Sequence, residues 1–104
     1  MKKLLAVLLL SALPALASSK SDVVFARHIA DDLRIDRVLI HKIRVDHEGD
    51  VSFTEAEVAY HNALADLEEF QNGDPAITRE RVENDALEVW MDLAPYRDTY
   101  NVMR

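Results

Sequence analysis

Apolar residues recur at spacings of three and four along most of the chain. Val24, Phe25, His28, Ile29 and Leu33 mark one amphipathic helix with Ser21 or Asp22 as its cap, and Leu39, Ile40 and Ile43 carry a second stripe. Asp36 precedes that second stripe and can itself act as a cap, so two short helices or one bent helix fit equally. Val58, Ala59, Ala63, Leu64 and Leu67 predict a third helix within residues 54–70, and Val82, Ala86, Val89, Trp90 and Leu93 predict a fourth that ends at Pro95. The tail carries Tyr96, Tyr100, Val102 and Met103, which is too apolar for a solvated extension, so it is expected to pack back on the helices. The pattern predicts an all-α domain.

The opening residues follow a different rule. Lys2 and Lys3 precede an apolar stretch over residues 4–13 broken only by Ser11; Pro14 then ends the helix-prone part before Ala15, Leu16 and Ala17. Small residues at Ala15 and Ala17 suit a signal peptidase, so residues 1–17 read as a secretory signal peptide. The apolar stretch is well short of the roughly 20 residues a spanning helix needs, and no comparable run follows. The expected product is a periplasmic or secreted protein that does not cross a membrane once the signal is removed. Residues 18–22 form a polar lead-in and residues 23–104 one domain.

Without Lys2 and Lys3, 10 basic side chains face 19 acidic ones, a net charge of -9 over 87 residues. That sign argues against nucleic acid and anionic lipid as partners, and it suits cations or a basic protein partner as well as a merely solvated acidic surface. The absence of cysteine excludes disulfides and thiolate metal sites.

Both glycines of the chain, Gly49 and Gly73, fall in polar segments between helical stripes. Aligning the chain with itself at an offset of 24 pairs Gly49 with Gly73, Asp50 with Asp74, Thr54 with Thr78 and Val58 with Val82. It also pairs Ile40 with Leu64, Ile43 with Leu67 and Phe53 with Ile77. Residues 46–57 place carboxylates at the alternate positions Asp46, Glu48 and Asp50, then Ser52, Thr54 and a closing Glu57. This segment resembles the 12-residue loop of the EF-hand family, and residues 36–94 resemble a degenerate EF-hand pair of the small exported bacterial kind. The resemblance implies two helix-loop-helix units behind an N-terminal helix, with a very short strand pairing Phe53 and Ile77 between the loops. It also implies weak Ca2+ binding through Asp46, Glu48, Asp50, Thr54 and Glu57, with Ser52 giving its carbonyl.

The departures are specific. The family's central glycine is replaced by Val51 in the first loop and by Pro75 in the second, where Phe70 and Arg81 also occupy the end-ligand places. A left-handed valine costs about 1–2 kcal/mol and a left-handed proline is forbidden, so the second loop is expected to brace the first without binding calcium. A register starting at Arg44 would restore Gly49 to the centre at the expense of the first ligand.

Two other readings compete with the loop. In one, Thr54 to Glu57 is a capping box that starts a helix. In the other, residues 43–45 and 51–53 form a hairpin. His28, His41, His47 and His61 show no ligand spacing on one helix. Asp31, Asp32, Asp66, Glu68 and Glu69 are spaced as solvated helix faces, and no nucleophile elbow or acid-base motif appears, so no catalytic residues are assigned and the chain is read as a non-enzyme. The alternative to calcium binding is a non-catalytic interaction module of the inhibitor or immunity type, with an acidic surface for a basic partner.

Overall fold

The computed structural model describes residues 19–100. The expected leader, and Val102 and Met103 of the tail, lie outside the described residues. Four helices follow in order: α1 over Lys20–His47, α2 over Val51–Gln71, α3 over Arg79–Asp92 and α4 over Ala94–Tyr100. No strand occurs among the described residues, so the domain is all-α, and Phe53 and Ile77 enter the core without strand pairing.

α1 is one continuous helix of 28 residues, about 42 Å at 1.5 Å per residue. Its cap is Ser19, whose hydroxyl accepts the Asp22 N–H at 3.0 Å, so residues 20–22 of the expected lead-in form its first turn. Asp36 interrupts nothing. It is 2% exposed within the stripe that Ala26, Ile29, Leu33, Leu39, Ile40 and Ile43 also form.

α2 and α3 are the most extensively packed pair, and α1 lies against both. α2 buries Phe53, Ala56, Ala59, Tyr60, Ala63 and Leu67; three alanines on that face let neighbouring backbones approach closely. Val24, Val58 and Leu64, expected in apolar stripes, instead stand 61%, 54% and 37% exposed. The core face of α2 runs through Ala56 and Tyr60, a phase the larger aliphatic residues disguised. α3 starts on Thr78, whose hydroxyl accepts the Arg81 N–H at 3.1 Å, and it buries Val82, Ala86 and Val89. Leu93, fully buried, ends it before Pro95. Trp90 is only partly buried, and the Arg97 guanidinium lies over its ring at 3.4 Å while donating to its carbonyl.

The two connections share a feature at the predicted offset. Gly49 and Gly73 carry φ angles of 94° and 88°, each just after a helix. At Gly73 the Asp74 N–H bonds the Glu69 carbonyl and the Gly73 N–H bonds the Phe70 carbonyl, which closes the C-terminus of α2 in a Schellman motif. The left-handed residue is therefore a glycine in both connections, and the strain expected at Val51 does not arise because Val51 opens α2. The connections diverge after the glycine. Asp50 stands at the N-cap position of α2 without a side-chain capping bond, whereas Asp74 and Pro75 begin a further turn, closed by Ile77 N–H to the Asp74 carbonyl at 3.1 Å. That turn brings Ile77 to 6% exposure before α3 begins.

Gly49 has open space where a β-carbon would sit, so only its backbone conformation selects glycine. Gly49→Ala is expected to lower unfolding stability by about 1 kcal/mol and Gly49→Asn by less, measured by urea denaturation.

Candidate functional site

The α1–α2 junction collects the six residues expected as calcium ligands. Asp46 lies in the last turn of α1, Glu48 and Asp50 flank Gly49 in the connection, and Ser52, Thr54 and Glu57 belong to α2. The expected twelve-residue loop is thus a three-residue turn, because α1 continues through His47 and α2 begins at Val51. The hairpin and the capping box give way for the same reason: residues 43–45 and 51–53 are helical, and Thr54 sits one turn inside α2 with its hydroxyl donating to the Asp50 carbonyl at 3.0 Å.

The junction carboxylates are engaged within the chain. Asp46 Oδ2 accepts the Tyr100 hydroxyl at 2.7 Å, and Asp50 Oδ2 accepts from His47 Nδ1 at 2.8 Å. Glu57 Oε2 accepts two N–H groups of Arg44 at 2.8 and 3.1 Å, in a partly buried pair. The Ser52 hydroxyl shares a 2.7 Å hydrogen bond with Tyr96, and Glu48 is exposed. α4 seals the turn from outside. The His47 ring meets Tyr96 and Tyr100 edge-on, at centroid distances of 5.1 and 6.4 Å, and Tyr96 reaches Phe53 at 6.3 Å. The hydrogen bond to Asp46 holds the Tyr100 hydroxyl above its ordinary pKa.

A calcium ion takes six to eight oxygens around one point. As placed, these residues do not form that cage: among the described residues no group of three or more His, Cys, Asp or Glu side chains is gathered as a metal site. Coordination would have to draw Asp46, Asp50 and Glu57 away from Tyr100, His47 and Arg44. Of the histidines, His41 and His61 line one groove between α1 and α2, and His28 lies 3.7 Å from Asp32.

A second arrangement concerns the distribution of charge over the helices. α1 is nearly balanced, with six basic and five acidic residues. Residues 51–92, which make up α2, its connection and α3, hold eleven acidic residues and two basic ones. Both of those arginines are already paired, Arg79 with Asp22 at 3.2 Å and Arg81 with Asp66 at 2.9 Å. The negative charge is therefore segregated onto one part of the fold.

Comparison with known protein families, with curated protein sequences and with solved structures finds no match in any of the three. The geometry alone carries the assignment.

Within the acidic part, Asp66 of α2 and Asp85 of α3 face each other. Asp66, expected on a solvated face, has a side chain only 15% exposed. Asp85 Oδ2 is buried with no donor to satisfy it. Desolvation, and then the hydrogen bond and charge of Asp66, push the Asp85 carboxyl up to about 6. Asp66 is held below its ordinary value, first by the hydrogen bond it accepts from Asp85 and further by Arg81. Two ionised carboxylates offer no hydrogen between them, so this bond exists only while Asp85 keeps its proton. Sequence spacing within either helix gives no sign of the pair, since it forms between them.

The sign of the pH dependence follows. Asp85, with its pKa raised on folding, contributes stability that is present below its unfolded value near 3.8 and lost as pH rises through about 6. Asp66 contributes in the opposite direction, and only as pH falls toward and below its unfolded value. Asp85→Asn, an uncharged donor to Asp66, is expected to be more stable than the parent at pH 7.5 by about 1 kcal/mol and close to it at pH 4.5, measured by denaturation at both pH values.

Proposed function

We propose that the protein is a non-catalytic interaction module that recognises a basic protein partner through the acidic surface of α2 and α3, outside the cytoplasm as the leader over residues 1–17 implies. The observation that carries this reading is the segregation of charge: eleven acidic residues and two arginines over residues 51–92, with both arginines already neutralised by Asp22 and Asp66. Like charges concentrated on two packed helices raise the potential of that surface and steer a cationic partner toward it. The engagement of Asp46, Asp50 and Glu57 within the chain supports the same reading, since these carboxylates tie the junction together without an ion. Export also fits, as a module of the inhibitor or immunity type meets its target there.

The test is titration with a synthetic lysine-rich peptide at low and physiological ionic strength, in chelator and in millimolar calcium. Binding is expected at low ionic strength, weakened by salt and unchanged by the chelator. Absence of binding at low salt, or binding that appears only with calcium, would overturn the reading.

A further inference from the structure

Beyond its charge, the α2–α3 surface contains a groove of about 390 Å³ lined by Glu55, Val58, Ala59 and Asn62 of α2 and by Glu88 and Asp92 of α3. Val58 and Ala59 give it an apolar strip beside the polar Thr54 and Asn62. Val58 is 54% exposed there, and Val51, 74% exposed, lies two turns earlier on the same side of α2. Its rim is acidic, and neither lysine nor arginine lines it. Glu55, Glu88 and Asp92 form no ion pair among the described residues, whereas Asp22, Glu57 and Asp66 elsewhere on the fold do.

These features restrict what can lie in the groove. An uncharged apolar partner would strip water from three carboxylates without replacing it, which is unfavourable. A chain of cations alone would satisfy the rim and leave Val58 in water. A partner that alternates between the two chemistries on one face satisfies both, and Glu88 and Asp92 set the spacing: they stand one helical turn apart, roughly 6 Å, which is also the separation of cations at i and i+4 on a partner helix. Asn62 adds a side chain that both donates and accepts.

We propose that this groove is the docking surface for a basic amphipathic helix of a partner protein, with small apolar side chains over Val58 and Ala59 and lysine or arginine side chains on Glu55, Glu88 and Asp92. The proposal rests on the reading of α2 and α3 as a surface for a basic partner, and it names the place and the chemistry.

The experiment is fluorescence anisotropy with three labelled probes: a lysine-leucine peptide designed as an amphipathic helix, a scrambled peptide of the same composition, and oligolysine. The full chain is compared with the double variant Glu55→Lys, Glu88→Lys, the single variant Val58→Asn and a control, Asp31→Lys on α1, each checked for helicity by circular dichroism. The amphipathic peptide is expected to bind at least about tenfold more tightly than either other probe. The double variant is expected to lose about tenfold or more of that affinity, Val58→Asn to remove the preference over oligolysine, and Asp31→Lys to change neither. Val58→Asn alters a single exposed side chain, so the test stands even where the double variant does not fold.

Amphipathic and scrambled peptides binding alike, or binding unaffected by both groove variants, would overturn the groove and leave the broader acidic-surface reading intact. Failure of every probe to bind the parent chain would remove both. Self-association of the parent that is lost in Val58→Asn, seen by sedimentation, would assign the groove to a second copy of the chain and likewise overturn the proposal.

Discussion

The packing of α1 on α2 and the seat of α4 depend on the three-residue turn between α1 and α2. Gly49 adopts a left-handed conformation, and Asp50 then stands at the N-cap position of α2, so a helix of 28 residues is followed by one of 21 packed back against it. A turn this short leaves no length for a wrapped loop. Its carboxylates instead become structural. Asp50 holds His47, Glu57 holds Arg44 across the junction, and Asp46 receives Tyr100 from the last helix. The aromatic contacts of Tyr96 and Tyr100 with His47 then fix α4 over the turn, so the α1–α2 turn and the C-terminal end of the described residues depend on the same few side chains.

The second consequence is electrostatic. Among the described residues, six of the nine lysines and arginines lie on α1 while residues 51–92 hold eleven carboxylates, and the two arginines at the start of α3 are paired with Asp22 and Asp66. Burial and like charge both oppose ionisation at Asp85, a buried oxygen without a donor beside a second carboxylate. A fold that keeps such a pair gives up stability at neutral pH.

Much of the architecture was legible in the residue pattern because helical periodicity is a local property. The stripe through Val82, Ala86, Val89 and Leu93 buries as the spacing predicts, and Pro95 does follow the end of a helix. The pairing of Gly49 with Gly73 is realised as two left-handed residues. What escaped depends on relations between elements. Asp36 has the composition of a cap, yet it lies within the buried stripe of α1. The alternating carboxylates at Asp46, Glu48 and Asp50 have the spacing of a loop, but the helical tendency of residues on both sides shortens that loop to a turn, and each engaged carboxylate finds a partner from 3 to 54 residues away. Asp66 and Asp85 were invisible for the same reason, as was the groove, whose walls come from separate helices.

The central claim is that the junction is closed by its own side chains and that recognition belongs to α2 and α3. Amide-resolved NMR titration tests both halves in one sample. With calcium to millimolar concentration the amides of residues 46–57 should stay in place, and with a basic amphipathic peptide the shifts should gather at residues 55–62 and 85–92. A collective shift of residues 46–57 on adding calcium, with the α2–α3 amides indifferent to the peptide, would contradict the account.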